Sequence, residues 1–198
     1  MVEGKRRIAV FDFDGTITRK DTMFDFIRHA KGTMSLYLGI VIFAPMIALM
    51  FMKIIDNHQC KQKLLSWYFK GMKYSVFKHF GETYAARVGD LVRPDVMEIL
   101  RQRKQEGCTI YVVSASIREW VAPFCLALGV EEVLSTEMEV GSDGRLTGKF
   151  STHNCFGAEK VRRLAAKEPD RSEYYLYAYG DSRGDREMFK FADEWKKV

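Results

Sequence analysis

The residues best suited to chemistry are Asp12 and Asp14, in the run Asp12-Phe13-Asp14-Gly15-Thr16 that follows the apolar stretch Ile8-Ala9-Val10-Phe11. A carboxylate can attack phosphorus and form an acyl phosphate, dividing one difficult displacement into two easier ones. A second carboxyl is then needed to protonate the leaving alkoxide and later to deprotonate water. Two carboxylates at i and i+2 of a strand point the same way, but the chain turns at Gly15, so the pair can divide these tasks. Asp12 is read as the nucleophile and Asp14 as the general acid and base. Gly15 permits the tight turn and Thr16 can hydrogen-bond its neighbours, which places both against the phosphate. The bland alternative is an ordinary turn after a strand.

A second acidic cluster, Gly180-Asp181-Ser182-Arg183-Gly184-Asp185, follows another apolar run. An anionic carboxylate approaches an anionic phosphate only with a cation between them. Mg²⁺ suits this task because it takes one or two carboxylates, with water and phosphate oxygen completing its octahedron. Asp181 is the expected ligand, with Asp12 sharing the ion and the main-chain carbonyl of Asp14 completing the protein set. Asp185 either binds the ion directly or orients its ligands, and the orienting role is preferred. Ser114, after a third apolar run, can donate to a phosphoryl oxygen, although Ser116 competes with it for the role of helix cap. Lys160, at a helix start, can offset charge on the nucleophile or the phosphate. By position alone it reads as a solvated lysine.

The elements that must carry these residues are legible from periodicity. Arg7–Phe11, Thr109–Ser114 and Tyr174–Gly180 are apolar runs ending in polar residues, as buried central strands do. Helical patterns lie between and after them: residues 94–107, with Pro94 in the first turn and Gly107 as the stop, then 117–129, 158–167 and 185–195. This alternation predicts an α/β, Rossmann-like parallel sheet with helices on both faces and ligands at the carboxyl ends of the strands. Residues 22–92 interrupt it with helix-compatible sequence alone. They are expected to form an all-helical cap inserted in a core of residues 1–21 and 93–198. Residues 136–150 alternate about Asp143-Gly144, a hairpin signal.

Four dispersed elements, the Asp12–Thr16 motif, Ser114 after a strand, Lys160 at a helix start and the Gly180–Asp185 motif, occur in an order that resembles the haloacid dehalogenase superfamily. The match is to its phosphoserine-phosphatase-like branch, whose helical cap follows the first motif. The resemblance implies a Mg²⁺-dependent phosphatase with Asp12 as nucleophile, Asp14 as acid and base, Ser114 and Lys160 on the phosphoryl group and Asp181 on the metal. It also implies a substrate-selecting acid nine residues after the nucleophile. Here that position holds Asp21 where phosphoserine phosphatases carry glutamate, and Ala115-Ser116 follow Ser114 where they carry two glycines. Phosphoserine is therefore disfavoured as substrate. A phosphomutase retaining the same acyl phosphate is an enzymatic rival.

Composition narrows the partners. The chain has 198 residues and a formal charge of +5, with acidic residues interleaved among the basic ones. No arginine-rich tract or zinc-finger spacing points to nucleic acid. Cys60, Cys108, Cys125 and Cys155 form no CxxC pair and are expected as buried thiols in a reducing cytosol. The N-terminal basic residues lead into only a short apolar run, unlike a signal peptide.

One segment resists a purely soluble reading. No charged residue occurs from Gly32 to Met52, and this stretch meets the length criterion for a membrane span. Two readings of residues 34–55 stand open: one or two buried cap helices kinked at Pro45 and packed on Leu64–Phe69, or a surface docked on a membrane with Lys31 and Lys53 as flanking anchors. The second resembles membrane-associated members of the branch that act on phosphatidylglycerophosphate, so a lipid phosphate competes with a small phosphomonoester as substrate. A non-catalytic membrane-binding protein is the reading from another class.

Overall fold

The computed structural model describes residues 4–52 and 54–198. Strand β1 (Arg6–Phe11) enters the core, and the chain turns through Phe13–Ile17 before helices α1 (Met23–Lys31), α2 (Thr33–Phe51), α3 (Asn57–Phe69) and α4 (Tyr74–Val88). Then follow α5 (Pro94–Gln105), β2 (Thr109–Ile117), α6 (Arg118–Ala127), β3 (Glu132–Thr136), the hairpin β4 (Met138–Val140) and β5 (Leu146–Phe150), and α7 (Ala158–Lys167). The chain closes with β6 (Tyr174–Gly180), α8 (Arg186–Phe191) and β7 (Glu194–Lys197).

Five strands form one parallel sheet in the order β3-β2-β1-β6-β7. Strand β1 is central and buried on both faces, which is why its sequence is continuously apolar. Ala9 and Phe11 face a core shared with α5, α6 and the α1–α4 helices, whereas Ile8 and Val10 face Leu164 of α7 and Met188 of α8. The doubly covered α/β sheet expected from the strand–helix alternation is thus present.

The α1–α4 segment leaves and re-enters the sheet layer at one neck. Thr18 bridges Val92, Arg19 N–H donates to the Leu91 carbonyl at 2.8 Å, and Arg93 N–H donates to Ile17 at 2.9 Å. Phe26 of α1 stacks on Trp120 of α6 at 4.5 Å and meets Phe69, Phe77 and Tyr84 within 5.8 Å. At Gly81 of α4 a Cβ would lie 1.8 Å from the Glu119 carbonyl, so glycine permits the close approach of α4 to α6. One aromatic core therefore ties the inserted helices to the sheet.

Four details depart from the sequence reading. The expected helix over 185–195 stops at Phe191, because Asp193 accepts a 2.7 Å hydrogen bond from Leu176 N–H and donates its own N–H back to the Leu176 carbonyl. That reciprocal pair starts β7, which completes the exposed edge of β6. Strand β3 was not anticipated. Strand β2 continues beyond Ser114 to Ile117 through a register shift. Finally, α2 is one helix with Pro45 inside it, one of the two forms expected, but it is not buried: only 11% of its apolar window is covered, at a mean hydropathy of 2.2. It packs Leu36 and Gly39 on α3, where the Tyr68 hydroxyl donates to the Leu36 carbonyl at 3.0 Å. Lys31 places its ammonium 5.4 Å from the Phe69 ring centroid, and Lys53 lies outside the described residues. The four cysteines are buried free thiols.

Candidate active site

The carboxyl ends of β1, β2 and β6 meet beneath the inserted helices at a cavity of about 590 Å³. Asp12, Asp14, Gly15, Asp21, Lys160 and Asp181 line it, together with Lys61 of α3 and Ile47, Met50 and Phe51 of α2. Asp12 leaves β1 with its N–H on the Tyr179 carbonyl of β6 at 2.9 Å, so the sheet itself aims this residue.

The floor is a compensated charge cluster. Lys160 is 2% exposed and donates to Asp12 Oδ1 at 2.7 Å and Asp185 Oδ1 at 2.6 Å. Burial would push its ammonium down, but the two carboxylates outweigh burial and hold it above the ordinary lysine range. Burial pushes the Asp12 carboxyl up to about 7, with Asp185 and Asp14 adding to the rise and Lys160 opposing it. Asp181 is also raised, first by burial and then by Asp185.

Asp185 has both oxygens committed. Oδ1 accepts from Lys160, while Oδ2 accepts from the main-chain N–H groups of Asp181 (3.2 Å) and Ser182 (3.0 Å) and from the Ser182 hydroxyl (3.1 Å). It therefore fixes the loop that presents Asp181. Asp181 Oδ1, by contrast, is buried with no hydrogen-bond partner. A carboxylate oxygen of this kind is open to a donor or a cation. Asp12, Asp181 and Asp185 each bring an oxygen within 4.8 Å of the others. Gly15 keeps that space open: its φ is +79°, and a Cβ there would lie 2.4 Å from Asp181 Oδ2.

Asp14 is held apart from this cluster. Its Oδ1 accepts from Thr22 N–H at 2.7 Å and the Thr22 hydroxyl at 2.6 Å, and its Oδ2 accepts from the Ser116 hydroxyl at 2.5 Å. Trp120 Nε1 donates to Thr22 Oγ at 3.2 Å, extending the support into the aromatic core. A family model described as haloacid dehalogenase-like hydrolase matches residues 9–190, a span containing every one of these groups. The chain belongs to this family.

The haloacid dehalogenase-like match agrees with individual relatives. Protein CicA of Caulobacter vibrioides is 32% identical over 190 residues, covering 94% of this chain and 83% of that protein. A Bordetella pertussis protein of unknown function shares the fold with a TM-score of 0.80 at 20% identity, over 96% of this chain and 89% of that one. A phosphoserine phosphatase captured as a phospho-aspartyl intermediate analogue gives a TM-score of 0.64 at 20% identity, over 96% and 85%. The fold expected from the phosphoserine-phosphatase-like resemblance agrees with the last of these structures.

Not every expected residue of this haloacid dehalogenase-like site stands where the motifs suggested. Ser114 is buried, and its hydroxyl oxygen accepts from Ser116 N–H at 3.0 Å. Thr16 is buried with a hydroxyl that finds no partner, so it does not hold the loop by hydrogen bonds to its neighbours. Arg93 does so instead, donating to the Gly15 carbonyl at 3.3 Å. Asp21 reaches the cavity and accepts from Met23 N–H at 2.8 Å. Three residues escaped sequence reasoning in their site positions: Thr22, Ser116 and Lys61. Ser116 was visible only as a rival cap, and Thr22 only as a boundary. Lys61 carried no signal, being one of two lysines in α3, with nothing in the sequence to mark it off from Lys63. It crosses to donate to the Ala115 carbonyl at 2.7 Å, and burial pushes its ammonium down, partly offset by Asp21 and Asp14.

Proposed function

We propose that this haloacid dehalogenase-like phosphatase hydrolyses a phosphomonoester through an aspartyl-phosphate on Asp12, with Mg²⁺ as its cofactor. The observation that carries the reading is the buried Asp12–Lys160–Asp185 cluster at 2.6–2.7 Å on the floor of a cavity that Asp14 also lines. Asp12 attacks phosphorus; the bond from phosphorus to the leaving oxygen breaks, and the Asp14 carboxylic acid gives that oxygen its proton. Asp14, now a carboxylate, removes a proton from water as the water attacks the acyl phosphate, releasing phosphate and restoring Asp12.

The residues fit a magnesium ion. Asp12, Asp181 and the Asp14 carbonyl would hold it, and the orphaned Asp181 oxygen and the open space at Gly15 support this assignment. Bound there, the ion supplies the positive charge that lets a carboxylate approach a phosphate. Lys160 neutralises Asp12, and the Gly15 loop in the cavity wall is assigned to the phosphoryl group together with Ser114 and Thr16, which lie buried behind that wall. The helices of residues 22–92 act as the cap, and Asp21 at its entry contributes to substrate choice. Ile47, Met50 and Phe51 favour a second reading of the substrate, in which the leaving group carries an apolar chain, as in a lipid phosphate.

The test is phosphate release from p-nitrophenyl phosphate with Mg²⁺. Asp12→Asn is expected to lower turnover by about 10⁴-fold, on the scale of losing a covalent nucleophile, while circular dichroism stays unchanged. Undiminished turnover would remove the assignment. Phosphate release without a sugar-phosphate acceptor separates a phosphatase from a phosphomutase, and turnover of any kind separates both from a non-catalytic binding protein.

A further inference from the structure

The outward side of α2 has no partner among the described residues. Met34, Val41 and Phe51 are 84%, 71% and 78% exposed, and Tyr37, Leu38, Ile42, Met52 and Ile54 continue the same surface. A helix lying on a soluble protein ordinarily turns charge toward water, whereas one that is apolar all round belongs in a core or against lipid. This one has Leu36 and Gly39 on the protein and apolar residues on the other side as well, with no charge from Gly32 to Met52.

The surroundings of the helix identify what covers it. Beside Phe43, a groove is lined by Lys63, Lys70 and Lys149 and by Trp67, which is 42% exposed and meets the Phe43 ring edge-on at 6.1 Å. The three lysines join no ion pair among the described residues. An apolar helix bordered by a half-exposed tryptophan and unneutralised lysines is complementary to acyl chains below and anionic headgroups above. The helix is about 28 Å long at 1.5 Å per residue. It stays seated on α3, since at Gly39 even a Cβ would lie 1.8 Å from the Tyr68 hydroxyl oxygen.

We propose that α2 docks this protein on the surface of an anionic lipid bilayer, lying in the plane of the interface with its outer face in the acyl region and Lys63, Lys70 and Lys149 at the headgroups. A spanning arrangement would strip α2 from α3. Docking in the plane keeps Ile47 and Met50 in the cavity wall and puts Phe51 at both the cavity and the lipid, so the site opens beside the membrane. The inference concerns binding, and it stands or falls apart from the reaction assigned to Asp12.

The test is flotation of the whole protein with phosphatidylcholine vesicles, with and without phosphatidylglycerol. The expected result is flotation with the anionic vesicles, weakened roughly tenfold or more in Leu38→Glu/Val41→Glu and shifted toward indifference to phosphatidylglycerol in Lys63→Glu/Lys70→Glu. Both variants should retain p-nitrophenyl phosphate turnover, which shows that they fold. Failure of the active wild-type protein to float would overturn the proposal, as would equal flotation of Leu38→Glu/Val41→Glu. Retention of the protein on vesicles through alkaline carbonate would replace docking by spanning. A lipid-free dimer that Leu38→Glu/Val41→Glu dissociates, without vesicle binding, would assign the face to a second copy.

Discussion

At the floor of the cavity, Asp12, Lys160 and Asp185 are between 0% and 6% exposed, while along α2 large apolar side chains reach 84%. Charge is buried in one region and hydrocarbon is bared in the other, so each reverses the usual placement. The reversals differ in how they are compensated. The buried charges compensate one another through two hydrogen bonds of 2.6–2.7 Å, and the main chain of Asp181 and Ser182 completes the set. The exposed apolar face has no compensation within the described chain. The first arrangement is thus complete except for the orphaned Asp181 oxygen, while the second is left uncovered by the described residues.

The severest way to break this contrast is to remove the cation at its centre. Lys160→Met leaves Asp12 and Asp185 buried without the group that neutralises both, and stripping one partner from such a cluster costs on the order of 3 kcal/mol. Phosphatase turnover is expected to fall about 10³-fold, since charge opposite the nucleophile is lost. The direction of the pH effect is also determined. Lys160 holds the Asp12 carboxyl down against burial, so without it that carboxyl rises above about 7, and the acidic limb of the pH–rate profile moves to higher pH. Thermal unfolding and a pH–rate profile of the variant check both parts. A limb that stays in place or moves to lower pH would mean that Lys160 does not act on Asp12.

Next in size is Gly15→Ala. Its Cβ would overlap Asp181 Oδ2 at 2.4 Å, and a φ of +79° strains any L side chain. Displacing Asp181 is expected to weaken apparent Mg²⁺ affinity about 10- to 100-fold, the loss typical of disturbed metal ligation. A Mg²⁺ titration of activity measures it. Lost turnover with unchanged Mg²⁺ dependence would place the damage in the loop alone.

The degree to which this molecule was legible beforehand follows the same division. Strands β1 and β6 and their terminal aspartates were readable because a strand buried on both faces must be continuously apolar and must stop where charge begins. Strands β3 and β7 were not: Glu194–Lys197 is exposed and polar but for Trp195, and only its pairing with Tyr177–Gly180 makes it a strand. Lys160 gave no local sign of burial, because the carboxylates that draw it inward lie 148 and 25 residues away. The apolar run of α2 was plain, yet composition alone did not distinguish a buried helix from a bared one. That required knowing that α3 offers it only one face.

The smallest expected effect concerns Ser116, and it tests whether the polar region depends on orientation as well as on charge. Its hydroxyl donates to Asp14 Oδ2 at 2.5 Å, while Thr22 supplies two donors to Oδ1, one of them main-chain. Ser116→Ala therefore leaves Asp14 in place but free to rotate about its remaining contacts, with the Ser114–Ser116 main-chain contact intact. A group that positions an acid and base contributes less than the acid itself, so kcat is expected to fall about tenfold, below the 10²- to 10⁴-fold range of a lost general acid or base. KM should change little, because the assigned phosphate contacts are untouched. Ser116→Thr restores a hydroxyl at the same carbon and should recover most of the rate. A fall in kcat that threonine does not rescue would trace the effect to packing beside β2, whereas rescue would show that the Asp14 carboxyl must be aimed as well as present.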